Sequence, residues 1–173
     1  QCLATEFEIK DLGPLRYFLG MEFAESKKGI VVSQRKYILD LLEETGMSGC
    51  RPADTPMEFN IKLGEGEKEV QVNTNRYQRL VGKLIDLSHI RLDIAFAVSV
   101  VSQFMHALYE EHLEAVYWIL RYLKGTLGKE LFFRKSEHKG IEVYTDADLA
   151  GSIVDRRSTS GYCPLVGGNL VIW

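Results

Sequence analysis

The stretch Leu120-Arg121-Tyr122-Leu123-Lys124-Gly125-Thr126-Leu127-Gly128-Lys129-Glu130-Leu131-Phe132-Phe133 decides the fold class, because the hydrophobic period changes within it. Before Gly125, Leu113, Val116, Tyr117, Leu120 and Leu123 recur at helical spacing and predict a helix over about Glu111 to Lys124. Its acidic start and basic end suit the helix dipole, and Gly125 ends it. After Gly128 the chain turns to short β-rich runs broken by Gly, Asp and Ser: Leu131–Phe133, Ile141–Thr145, Ser160–Val166 and Asn169–Trp173.

Working back from that switch, Leu92 to His106 is apolar nearly all round and predicts a buried helix. Tyr77, Leu80, Val81, Leu84, Ile85 and Ser88 predict an amphipathic helix beginning near Asn75. Cys50 to Asn75, rich in Pro, Gly and acids, predicts a mobile linker. Ser33 suits an N-cap for a helix through Thr45 closed by Gly46, with Tyr37, Ile38, Leu41 and Leu42 inward. Leu15–Phe23 and Gly29–Ser33 predict a hairpin joined by the polar connector Ala24–Lys28. The order of hairpin, helices and strands gives an α+β chain of two separately built units, divided near Gly125 to Gly140.

At 173 residues, 46% hydrophobic and 26% charged, the composition fits one ordinary globular domain or two small ones. No apolar run approaches the ~20 residues of a membrane helix, so no membrane partner is expected. Gln1-Cys2-Leu3-Ala4-Thr5-Glu6 has no signal-peptide pattern and no initiator Met, which suggests an excised segment. Cys2, Cys50 and Cys163 are too scattered for a metal site and fit a reducing intracellular compartment. The net charge of −3 hides a gradient. Acids dominate from Asp40 to Glu69. From Arg121 to Gly140, Arg121, Lys124, Lys129, Arg134, Lys135 and Lys139 outweigh Glu130 and Glu137. Such a local basic stretch is what phosphate contact requires. A solvated helix end followed by a charged loop is the ordinary alternative.

Tyr144-Thr145-Asp146-Ala147-Asp148-Leu149-Ala150-Gly151 is the most suggestive segment for chemistry. Strand alternation puts Glu142, Tyr144 and Asp146 on one face. A carboxylate ending a buried strand is costly unless it is paired or metal-bound. A calcium loop fails, since its fifth position is Ala150 and its twelfth is Arg157 rather than Glu. A two-metal nuclease centre, with carboxylates bridging ions that activate water, stays open beside a structural Asp at a strand end. His89, His106, His112 and His138 have no useful ligand spacing, so zinc is not expected. Tyr17, Phe18 and Phe23 read as core rather than as a platform for bases.

Phe7 to Glu22, Gly29 to Leu39, Thr55-Pro56-Met57, Tyr77 to Gly82, Asp93 to Ser99, Leu120 to Thr126, Tyr144 to Asp148 and Asp155 to Tyr162 resemble, in order and spacing, blocks of the Pol polyproteins of copia-type retrotransposons. The resemblance covers essentially the whole chain and implies a division of labour. Residues 1–47 would be the end of the reverse transcriptase palm, hairpin and helix, followed by a linker at 48–75. Residues 76–127 would be thumb and connection helices, and 128–173 the first strands of an incomplete ribonuclease H-like mixed sheet. Asp146 matches that family's first catalytic aspartate, a Mg²⁺ ligand, while Asp148 has no assigned role. Arg121, Lys124, Lys129, Arg134 and Lys135 would meet an RNA–DNA hybrid or template–primer. The remainder of the polyprotein would be a further partner, and the setting a cytoplasmic virus-like particle or the nucleus.

The polymerase aspartates and the remaining ribonuclease H acids are expected outside this segment, so it is expected to be inactive alone. A non-catalytic nucleic-acid-binding module and an unstable remnant are the competing readings. Leu92, Leu108 and Leu127 replace prolines usual in the family, Leu149 a tryptophan and Asp86 an aromatic. This pattern fits a decayed copy. Asp86 is expected on the apolar side of its helix, where it would weaken packing.

Overall fold

A computed structural model of the chain describes residues 13–58, 63, 73–105, 109–137, 140–147, 158 and 160–171. It is an α+β structure in which every described strand pair is antiparallel, where a mixed sheet was expected. The first sheet has the order β1 (Tyr17–Phe18), β2 (Met21–Ser26), β3 (Gly29–Ser33) and β4 (Leu131–Arg134). The second has the order β5 (Ile141–Ala147), β6 (Ser160–Val166) and β7 (Asn169–Leu170). The helices are α1 (Arg35–Glu44), α2 (Thr74–Ser88), α3 (Ala95–Ser102) and α4 (Glu110–Gly125).

The predicted hairpin is present, but Ala24–Ser26 belongs to β2 rather than to the connector, leaving Lys27 and Lys28 as the turn. At Gly29 a side chain is excluded, because a Cβ there would lie 2.1 Å from the Phe133 carbonyl oxygen. That contact exists because β4 lies against β3, pairing Val32 with Leu131 and Ile30 with Phe133. The run Leu131–Phe133 was expected to open the C-terminal set of strands. It joins the N-terminal sheet instead, where its apolar residues meet apolar cross-strand partners.

Ser33 is the last residue of β3, and Gln34 occupies the cap position of α1; the Ser33 Oγ still accepts the Arg35 N–H at 3.3 Å. Gly46 closes α1 as expected: at φ +72° it lets Gly46 N–H reach the Glu43 carbonyl and Met47 N–H the Leu42 carbonyl. Asn73 caps α2, its Oδ1 accepting the Arg76 N–H at 3.1 Å. The predicted helix over Leu92 to His106 is broken. A 3₁₀ turn, Leu92–Ile94, precedes α3, which ends at Ser102, and His106 lies outside the described residues.

The four helices share one core. Ile38, Leu41 and Leu42 of α1, Leu80, Val81 and Leu84 of α2, Val98 and Val101 of α3, and Val116, Ile119 and Leu120 of α4 are all buried in it. Tyr77 is wholly enclosed there, and its hydroxyl donates to the Val101 carbonyl at 2.7 Å. Asp86 is exposed, contrary to expectation. It lies nine residues, about two and a half helical turns, beyond Tyr77, so it faces away from the core. Leu127 packs partly buried against the same core, so its replacement of a family proline is accommodated. Among the described residues no helix is long and apolar enough to cross a membrane.

Candidate functional site

Asp146 sits near the end of β5, opposite Gly161 of β6. As predicted, the register puts Glu142, Tyr144 and Asp146 on one face, opposite Leu165, Cys163 and Gly161. The premise of a buried strand does not hold, because every residue of β5 is exposed. The Asp146 carboxylate therefore has no desolvation cost to offset. Its Oδ1 accepts the neighbouring Ala147 N–H at 3.0 Å, and it borders a shallow cleft of about 270 Å³ with Tyr144, Thr145, Gly161, Tyr162 and Cys163. Glu142 shares that face but stands four residues away, about 13 Å along the strand, too far to share one ion. Among the described residues no three His, Cys, Asp or Glu side chains converge to hold a metal. The described residues thus do not fit a Mg²⁺ pair; Asp148 lies outside them.

The basic residues fall into two sets. Arg121, Lys124 and Lys129 are engaged within the fold. Arg121 Nε donates to the Arg51 carbonyl at 2.9 Å, and its guanidinium lies 4.9 Å from the Trp118 ring centroid. Lys124 Nζ donates to the carbonyls of Ser48 at 2.7 Å and Cys50 at 2.6 Å. Trp118 Nε1 donates to the Thr55 carbonyl, and Ala53 N–H to the Arg121 carbonyl. Together these contacts lay residues 48–57, the start of the expected linker, along α4 as a fixed strap.

Lys129 ends on a different partner, Asp93. Its Nζ lies 3.0 Å from Asp93 Oδ2 and 2.7 Å from the Tyr122 hydroxyl. Arg91, only 2% exposed, grips both Asp93 oxygens at 2.9 and 2.8 Å and also reaches the Thr126 carbonyl and hydroxyl. Tyr122 donates to Asp93 Oδ2 at 2.7 Å. Burial by itself would raise the Asp93 pKa, but hydrogen bonds from Arg91, Tyr122 and Lys129 outweigh it and hold the carboxyl well below the usual range. The hydrogen bond with Tyr122, then that with Asp93, raises the Lys129 pKa.

Arg134 and Lys135 form the second set. Both are exposed, and among the described residues their side chains make no hydrogen bond or ion pair. They line a cleft of about 390 Å³ between β4 and the β6–β7 turn, with Phe132, Ser136, Gly167, Gly168 and Asn169. His112, considered as a possible ligand, is a core residue: fully buried, stacked on Phe104 at 4.0 Å, its Nδ1 accepting the Tyr109 N–H. The Arg91–Asp93–Tyr122 cluster escaped the sequence reading. Its one signal was an Arg and an Asp two residues apart beside an apolar run.

The family described as reverse transcriptase (RNA-dependent DNA polymerase) matches residues 1–59. The chain is 41% identical over 171 residues to the retrovirus-related Pol polyprotein from transposon RE1 of Arabidopsis thaliana, covering 99% of this chain and 12% of that protein. The Pol polyprotein from transposon TNT 1-94 of Nicotiana tabacum is 38% identical over 180 residues, covering 99% of this chain and 14% of that protein. An uncharacterized mitochondrial protein of Arabidopsis thaliana is 33% identical over 171 residues, covering 99% of this chain and 71% of its own length. The chain therefore spans a small part of the Pol polyproteins it resembles. No solved structure matches it.

Proposed function

The chain belongs to the Pol polyproteins of copia-type retrotransposons, and on that premise we propose that it is the end of their reverse transcriptase joined to the start of a ribonuclease H. The intact polyprotein would copy RNA into DNA and degrade the RNA strand of the hybrid, using divalent metal ions bound by carboxylates from several segments. The single observation that carries this reading is the position of Asp146, near the end of β5 with its face open to solvent and, among the described residues, outside any cluster of three metal-ligating side chains. One such acid cannot by itself hold the ions that activate water and stabilise the leaving oxygen. The segment alone is therefore inactive in our reading, binding the template–primer or hybrid without cutting it.

The contact with phosphate falls to Arg134 and Lys135, whose charges stand open in the cleft beside β4. Lys129 contributes little, because its Nζ is already held by Asp93 and the Tyr122 hydroxyl. The shared helical core supports a chain that folds, against the reading of an unstable remnant. Filter binding to an RNA–DNA hybrid at several salt concentrations, with Mg²⁺ present, tests the proposal. We expect salt-sensitive binding without cleavage, and the double variant Arg134→Ala/Lys135→Ala should lower the salt slope by about 2. Lys129→Ala should leave that slope unchanged. Binding indifferent to salt would refute the phosphate contact, and Mg²⁺-dependent cleavage that disappears in Asp146→Asn would refute inactivity.

A further inference from the structure

We propose that Asn169 is a latch that joins the two sheets into one body, standing in for a neighbouring strand at the outer edge of β4, where the described residues supply none. β4 is held to β3 along its inner edge, and just past its end Lys135 N–H donates to the Lys28 carbonyl at 2.9 Å. Strand alternation turns the backbone of the preceding residue, Arg134, the other way. Both of its polar groups meet one side chain there: Arg134 N–H donates to Asn169 Oδ1 at 2.6 Å, and Asn169 Nδ2 donates to the Arg134 carbonyl at 2.9 Å. A carboxamide thus reproduces the paired donor and acceptor that a neighbouring strand would offer.

The geometry around Asn169 is built for this. Gly167 and Gly168, at φ +58° and +77°, make the tight turn between β6 and β7 that delivers Asn169 to β4. Gly167 N–H donates to the Gly140 carbonyl at 2.9 Å, tying the turn to the residue before β5. Asn169 Nδ2 also lies 3.4 Å from the Val166 and Gly167 carbonyls, which orients the amide. Between strands of the two sheets, the described hydrogen bonds all run through this one side chain. Only a carboxamide of this length serves. Aspartate has no donor for the Arg134 carbonyl, alanine has neither group, and glutamine is a methylene longer. The latch fixes the strand that carries Arg134 against the sheet that carries Asp146, and it stands whether or not the proposed nucleic-acid contact does.

Nuclear magnetic resonance of the whole chain tests it. In the unaltered protein the Arg134 amide and the Asn169 side-chain Nδ2 protons should exchange slowly, and residual dipolar couplings from both sheets should fit one alignment tensor. In Asn169→Ala and Asn169→Asp, Arg134 amide exchange should quicken about tenfold, the loss expected for such a hydrogen-bond pair. The couplings should then need two tensors, while amides of the β2–β3 and β5–β6 ladders keep their protection. Fast Nδ2 exchange in the unaltered chain would overturn the latch without recourse to any variant. So would variants that retain slow Arg134 exchange and a single tensor.

Discussion

At Asp93 three donors meet one carboxylate, and a single substitution reads out the balance of charge among them. Asp93→Asn keeps the shape but leaves Arg91, 2% exposed, without its counter-charge. Breaking a buried pair in this way should cost about 3 kcal/mol in urea denaturation. The pH dependence has a fixed sign. The folded pKa of Asp93 is depressed below the unfolded value of about 3.9, so its stabilisation is present above that pH and fades as pH falls toward the folded value. The unaltered chain should therefore weaken progressively below about pH 4, and Asp93→Asn should weaken less over the same range. Tyr77 gives the opposite case, at alkaline pH. Burial pushes its pKa up to about 12, so the unfolded chain releases that proton near pH 10 while the folded one keeps it. Stability should fall as pH rises across that window. Tyr77→Phe should flatten the fall while costing about 1 kcal/mol at neutral pH, through loss of the bond to the Val101 carbonyl.

Among the elements, α4 does the most joining. Its buried face closes the helical core, while Trp118, Arg121 and Lys124 hold the strap at 48–57. The apolar face was legible, because Val116, Leu120 and Leu123 recur with the helical period. The strap was not, because its partners are backbone carbonyls, which every residue carries and no sequence pattern marks. Lys124→Met keeps the aliphatic stem but removes the donors to Ser48 and Cys50. The expected outcome is faster proteolysis within 48–57, unchanged helical circular dichroism and a loss of about 1.5 kcal/mol. Unchanged cleavage would mean that Trp118 and the Ala53–Arg121 bond suffice to hold the strap. The position of Asp86, by contrast, follows from the helical period itself, which puts it half a turn away from the buried face.

At the scale of the whole molecule, the question is how a helical core and two small sheets become one structure. β4 follows α4 in the chain, leaves the Asp93 cluster through Lys129, pairs with β3 and meets β7 at Asn169. The sequence by itself determined the family, the α+β class, the helical periods and the position of Asp146 on its strand face. Those are local or ordered features, set by spacing along the chain. Tertiary structure alone decided that Leu131–Phe133 belongs to the first sheet and that Arg121, Lys124 and Lys129 make hydrogen bonds within the fold. It also decided that Arg134 and Lys135 stand open. The physical reason is that a strand's partner and a charge's partner are chosen among residues distant in sequence, by which apolar faces and unpaired polar groups can be satisfied together.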